Sequence, residues 1–325
     1  YDDPLYQPWY TQPVGHSTIL INGNHQSQRV GDHLVFAEGF EDYSHVTHYL
    51  EGDFAAFTTG DIGRLYWNKV KGLERNVLFL KPRTLLMLDT AYPAERDADM
   101  TMLYQTARLA DINAGGKTST ITKEGKTLHF LHMAPEHVAV AAVETPHYLY
   151  TLQRQPVLEK EGMLTVTART VAGNPLVAAN LLTTTMGSGA PDATYAAGDG
   201  FVAGKASGTD FAFTTKPGFV YTAGGCTTDA TAVTWKDGKV FAARCTQLAQ
   251  NGKTLVMAAE PVTCEISGGA AKYYHCKAGA VSFGAASKPA GVTVNGTAVA
   301  DFTWNAESGL ATVNLPAGEG TVSFK

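Results

Sequence analysis

Ten histidines, four cysteines and fourteen tyrosines supply this chain with its acid–base, metal-ligating and nucleophilic groups, and their spacing decides which chemistry is open. His16 stands first, in the stretch Gly15-His16-Ser17-Thr18-Ile19-Leu20-Ile21-Asn22-Gly23-Asn24-His25-Gln26. Branched Ile19 and Ile21 mark a strand, and Asn22-Gly23 marks the turn that ends it. A histidine opening such a strand can move protons, touch a substrate or ligate a metal; its bland reading is a ring hydrogen-bonded to a neighbouring loop. His45 and His48 form H-x-x-H, which would share one face of a helix. The segment reads as extended, so the two rings point to opposite faces and do not chelate. His25, His33, His129, His132, His137, His147 and His275 are scattered and read as surface or core-satisfied. No Gly-rich phosphate loop, G-x-S-x-G elbow or Cys–His nucleophile signature is present.

The four cysteines, Cys226, Cys245, Cys264 and Cys276, all lie in the last third and contain no C-x-x-C pair, which disfavours a zinc knuckle. An even count permits disulfides. Counting outward from a turn centred near Ala270 sets Cys264 opposite Cys276, the expected disulfide. Cys226 and Cys245 flank Asp237-Gly238 about four residues out of register and form a weaker pair. Buried free thiols are the competing expectation.

The elements that must position these residues are strands. Apolar runs at Arg64–Lys69, Arg75–Leu80 and Thr84–Asp89 are followed by alternating segments that recur every ~8–12 residues, with no convincing helical period. Asp237-Gly238, Asn251-Gly252 and Asn295-Gly296 each sit between alternating apolar residues and predict tight hairpins; Asn295-Gly296-Thr297 fits a glycosylation sequon but is better explained as a turn. The class is all-β, a large antiparallel β-sandwich with a smaller C-terminal β-sheet region. Met186–Asp192 is the best linker by composition, giving a sandwich over 1–190 and, over 191–325, its continuation or a small C-terminal β domain. Residues 1–14 are aromatic and proline-broken, so an ordered loop is expected, its Tyr6, Trp9 and Tyr10 free to stack on sugar rings or simply to bury area.

Residues 15–26 resemble the "His-Asn-Thr-hydrophobic-hydrophobic-Gly…Gln" strand of the heparinase II/III-like polysaccharide lyases, oligoalginate lyases included, with Ser17 where that family usually has Asn. Asn76-Val77-Leu78-Phe79-Leu80-Lys81-Pro82 with Leu85–Asp89 resembles a second family hairpin, Arg75 and Asp89 falling in matching places. The resemblance covers roughly residues 1–190. It implies a hyaluronate-lyase-like supersandwich, with His16 facing a sugar cleft as a catalytic residue, or ligating a metal if partner ligands exist elsewhere. It also implies a proton-shuttling tyrosine a similar distance ahead of the histidine. Tyr1, 15 residues before His16, is the candidate, with Tyr6 and Tyr10 competing and a packing role as the alternative. Arg29 and Arg64 join the aromatics as candidate contacts to acidic sugar.

In that family the remaining neutralising and basic groups lie on an upstream helical (α/α) toroid. The expectation is therefore one wall of a cleft of a lyase acting on uronate polymers by β-elimination, inactive alone. The alternative is a non-catalytic carbohydrate-binding or structural sandwich. No cofactor is expected in this chain, with zinc or calcium possible in a full-length member. The start Tyr1-Asp2-Asp3, without Met or signal peptide, reads as a mature product or an excised piece. A periplasmic or secreted bacterial location follows from the resemblance and the cysteines.

Composition agrees. Apolar residues at 44 %, charged residues at 17 % and 33 glycines describe a globular protein rich in strands and turns. The formal charge of −5 excludes the broad basic face that nucleic acid demands. No apolar run is long enough for a membrane-spanning helix.

Overall fold

The computed structural model describes residues 13–23, 29–30, 33–34, 44–93, 96–106, 108–150 and 156–325. Among these the regular structure is β, apart from 3-10 turns at Pro13–Gly15, Gly63–Lys69 and Leu109–Asp111. The chain divides into two compact units. One comprises Tyr1–His45, Asp61–Arg75 and Leu86–Pro191; the other comprises Val46–Gly60, Asn76–Leu85 and Asp192–Lys325. The strands Val70–Leu80 and Thr84–Pro93 supply residues to both.

The first unit contains a four-stranded antiparallel sheet ordered Ile19–Ile21, Ala98–Thr106, Pro156–Thr170, Ala139–Tyr150. A second group of strands runs Thr84–Pro93, Leu176–Met186, Lys126–Ala134, Thr118–Lys123, Ile112–Asn113. Period-2 alternation turns Met100, Met102 and Tyr104 of one sheet into a shared core with Phe130 and Ala178 of the other, where Ile19, Leu164 and Val166 also sit. Each fully buried Leu, Ile, Val or Met there contributes about 1.5–3 kcal/mol relative to exposure.

The second unit carries a fifteen-stranded sheet made largely of successive hairpins, running from Ala193–Gly198 through Lys239–Gln250, Lys253–Ser267 and Ala270–His275 to Gly318–Phe324. Val233, Val262, Tyr273, Val281, Val313 and Val322 belong to its core. The turns the sequence predicts are present. Asp237-Gly238, Asn251-Gly252 and Asn295-Gly296 hold φ values of 50/76, 51/77 and 51/78°, the two consecutive positive φ of a type I′ turn, which Asn or Asp followed by Gly tolerates best. The segment around Asp53 is pinned to this sheet. Its carboxylate accepts from Lys239 Nζ and Lys272 Nζ, both at 2.8 Å, while its N–H donates to Glu265 Oε1 at 2.9 Å. Hydrogen bonds from Lys239 and Lys272 hold the Asp53 carboxyl down to about 2.

Two expectations are corrected. Arg64–Lys69 is not a strand but most of the 3-10 segment Gly63–Lys69, and the strand begins at Val70. Tyr66 explains the change: it is fully buried and its hydroxyl donates to Ile19 O at 2.6 Å, which a flat strand would not allow beside Val70–Leu80. The second correction concerns the disulfides. Cys226, Cys245, Cys264 and Cys276 are all free thiols. Cys264 stands opposite Tyr273, because the turn falls at Gly268-Gly269 and pairs Ser267 with Ala270, and Cys276 lies beyond the strand end. Cys226 faces Gln250 and Cys245 faces Val262, so the weaker pair is out of register as well.

Candidate functional site

The strand Ile19–Ile21 is short but clamped at both ends. It pairs with Ala98–Thr106, Ile19 opposite Met102 and Ile21 opposite Met100. Before it the chain bends, with Thr18 N donating to His16 O at 3.0 Å. Thr18 O then accepts from Leu103 N at 2.8 Å, and Ser17 Oγ accepts from Gln105 N at 3.0 Å. Gln105 Nε2 donates to Val14 O at 2.8 Å, tying the residues ahead of His16 to the same strand. After it, Asn22 Oδ1 accepts from Asp99 N at 2.8 Å. His16 is thereby carried, exposed, on a backbone fixed by the hydrogen bonds of its neighbours.

The face of the four-stranded sheet turned away from the core continues from this point. Asp99, Thr101, Leu103 and Gln105 alternate with the inward residues and meet Arg169, Thr167, Thr165 and Met163 of the next strand. Thr101 and Thr167 share a hydroxyl hydrogen bond at 2.9 Å, and Arg169 pairs with Asp99 at 3.2 Å. Leu20, Leu103 and Met163 form a small buried apolar cluster of their own on this side of the sheet, and Gln105 Nε2 lies 3.0 Å from Met163 Sδ. A histidine, an amide, several hydroxyls and one ion pair line this face and could orient a hydroxyl-rich ligand, whereas the apolar trio is already buried.

On the core side of the same unit runs a buried polar series. Arg75 makes a two-bond pair with Asp89, at 2.7 and 2.9 Å, and Asp89 is wholly buried. Burial opposes the Arg75 charge, but the Asp89 carboxylate outweighs it and raises the guanidinium pKa above its usual value. The Tyr104 hydroxyl is buried, and burial, reinforced by Asp89 and opposed by Arg75 and Asn180, pushes its pKa up. His132 Nδ1 lies 2.7 Å from Asn180 Oδ1 and Nε2 2.9 Å from Ser119 Oγ. The amide oxygen accepts, so Nδ1 carries the proton and Nε2 accepts from the serine. Burial lowers the His132 pKa against the opposing effect of Asn180.

Of the residues singled out from sequence, His16 and Arg64 are exposed, Arg64 on the 3-10 segment that Tyr66 anchors to Ile19. Arg29 lies in the two-residue strand Arg29–Val30, paired with His33–Leu34; Tyr1, Tyr6, Trp9 and Tyr10 lie outside the described residues. Gln105, Thr101, Thr167, Asp99 and Arg169 were not singled out. Polar residues at alternate positions of Ala98–Thr106 were the available signal, but nothing in the sequence joins them to Ser17, 88 residues earlier. Among the described residues, no three His, Cys, Asp or Glu side chains are grouped to hold a metal ion. Among them, too, no helix is long and apolar enough to cross a membrane.

The class these features define is an all-β protein of large antiparallel sheets with a polar sheet face beside an exposed histidine. No family model and no curated protein matches the chain. Among solved structures it is similar to heparan sulfate lyase HepC from Pedobacter heparinus, with a TM-score of 0.49 and 13 % identity over 63 % of this chain and 31 % of that one. It is also similar to heparinase III, with a TM-score of 0.48 and 8 % identity over 66 % of this chain and 31 % of that one. The chain thus spans about a third of the length of these structures. Fold likeness at this level fixes neither reaction nor substrate.

Proposed function

We propose that this chain is the β-sandwich portion of a polysaccharide lyase, whose four-stranded sheet face binds acidic, uronate-containing glycan and forms one wall of the cleft. The observation that carries this reading is the placement of His16. The motif that resembles the lyase strand is held by Ser17 and Thr18 on the strand Ala98–Thr106, at the margin of a hydroxyl- and amide-bearing face. β-Elimination must neutralise the uronate carboxylate, remove the C5 proton and protonate the leaving O4, all within hydrogen-bond reach of one sugar. His16 can serve one of these tasks, and the rest belong on the helical toroid the resemblance implies. Tyr1, Arg29, Arg64 and the aromatic segment remain part of this proposal as further sugar contacts. So do a resident zinc or calcium in the full-length protein and an extracytoplasmic location.

The reading predicts weak binding without turnover. Purified chain titrated with uronate oligosaccharides should shift the amide resonances of 16–18 and 99–105, and His16→Ala should weaken binding about five-fold, near the ~1 kcal/mol of one hydrogen bond. No ultraviolet absorbance from unsaturated uronate should develop. Binding that leaves those resonances unmoved overturns the site. Release of unsaturated product that His16→Ala abolishes overturns the claim of inactivity and makes this chain a lyase in its own right. Binding unaffected by His16 favours the second reading, a carbohydrate-binding sandwich without chemistry.

A further inference from the structure

Independently of the sugar-facing sheet, the second unit contains a thiol–imidazole contact that no sequence motif announces. Cys276 follows the strand Ala270–His275 and is exposed. Its Sγ lies 3.0 Å from His48 Nε2, 228 residues away, and 3.5 Å from Thr47 O. The imidazole is held in place: Nδ1 is 3.0 Å from Thr47 Oγ1, and the Tyr274 ring packs against it at 5.8 Å and 57°. With the proton on Nδ1 donated to Thr47 Oγ1, Nε2 presents its lone pair to the thiol. This is a nucleophile, a base within reach and a group that orients the base. The other three thiols are fully buried in the apolar core of the same unit.

We propose that Cys276 and His48 form an oxidative modification site, at which small hydroperoxides convert Cys276 to a sulfenic acid with His48 as the base. The proton of Sγ–H passes to Nε2 as the sulfur lone pair forms a bond to the distal peroxide oxygen. The O–O bond breaks, and the leaving oxygen takes the proton from Nε2 to depart as water or an alcohol. Sulfur is oxidised by two electrons and the peroxide is reduced by two. The base is needed because the thiol is not a standing thiolate. Burial raises the Cys276 pKa above its usual value; Arg244 and Lys277 draw it down, and Glu260 adds to the rise. His48, held to about 4 by burial and by the charge of Arg244, is neutral across the physiological range; it is a weak base, which takes the thiol proton only as the S–O bond forms. Charged Arg244, Lys277 and Glu260, with Tyr274, are the groups that face the pair. With the other cysteines buried, the sulfenic acid has no exposed thiol among the described residues to condense with, so it persists until a small external thiol reduces it.

The test treats the whole chain with hydrogen peroxide, traps sulfenic acid with a cyclic 1,3-diketone and locates the adduct by peptide mass. The adduct is expected on Cys276 alone and absent from Cys276→Ser. His48→Phe keeps a ring against Tyr274 but removes the acceptor, and should slow labelling about tenfold with the circular dichroism spectrum unchanged. Should that variant not fold, the wild-type pH profile decides. A base-assisted thiol keeps its rate within about threefold between roughly pH 8 and 5.5, whereas an unassisted thiol loses about tenfold per unit. Labelling spread over the buried cysteines, no labelling of Cys276, an unchanged rate in a folded His48→Phe, or a tenfold-per-unit profile each overturns the proposal.

Discussion

Asp89 is wholly buried and its two carboxylate oxygens serve a single guanidinium, that of Arg75. Removing one partner of such a pair leaves the other charge uncompensated in the core. Asp89→Asn should therefore cost about 3–5 kcal/mol of stability, read as a lowered urea midpoint, whereas exchanging both residues for apolar ones of similar volume should cost far less. The buried imidazoles set a pH window. His48 and His132 both have pKa values lowered from 6.5, His48 to about 4. As pH falls through 6.5 the unfolded chain takes up protons that the folded chain refuses, so stability falls, at up to ~1.4 kcal/mol per pH unit per group. For His48 the loss continues until about pH 4. Asp53 acts in the same sense at lower pH: its pKa is depressed from 3.8 to about 2, so its contribution is intact above that range and lost as pH falls through it. Urea midpoints that stay level between pH 6.5 and 5 would contradict the histidine assignment.

At the scale of elements, turn chemistry governs register. Gly252 sits at φ 77° after Asn251 at φ 51°, and open space surrounds the place where a Cβ would stand. Gly252→Ala should therefore destabilise through backbone strain alone, by about 1 kcal/mol, with the strand pairing of Lys239–Gln250 and Lys253–Ser267 retained in amide exchange. Such turns were legible because two adjacent residue types encode them. The hairpin between Cys264 and Cys276 was legible too, but not its register: Gly268-Gly269 and Ala270-Ala271 both permit a turn, and the choice moves every cross-strand partner. Arg64–Lys69 misled for a different reason. Leu65, Tyr66 and Trp67 form an apolar run of strand character, and only the tertiary demand for the Tyr66 hydroxyl at Ile19 O selects the tighter 3-10 path. His16 could be named because a motif surrounds it. Gln105, which holds Ser17, and Cys276, which meets His48, could not, since hydrogen bonds spanning 88 and 228 residues leave no local trace.

At the scale of the whole molecule, the chain visits its second unit three times. Val46–Gly60 and Asn76–Leu85 belong with Asp192–Lys325, although the first unit's Leu86–Pro191 intervenes. A cut after Pro191 should thus fail to give an independent second unit. Residues 192–325 expressed alone lack those two segments and the Asp53 contacts to Lys239, Lys272 and Glu265. The fragment should be more readily digested by protease than the same residues in the intact chain, and equal resistance would refute the dependence. The same threading has a consequence for biosynthesis. Asp192 is translated 107 residues after Leu85, which at about 5–20 residues per second is a wait of roughly 5–20 s. Through that interval the early strands, which pair with one another in succession, are without the Lys239, Lys272 and Glu265 side chains that will hold Asp53. Those contacts of the early segments form last, once the final third of the chain has been made.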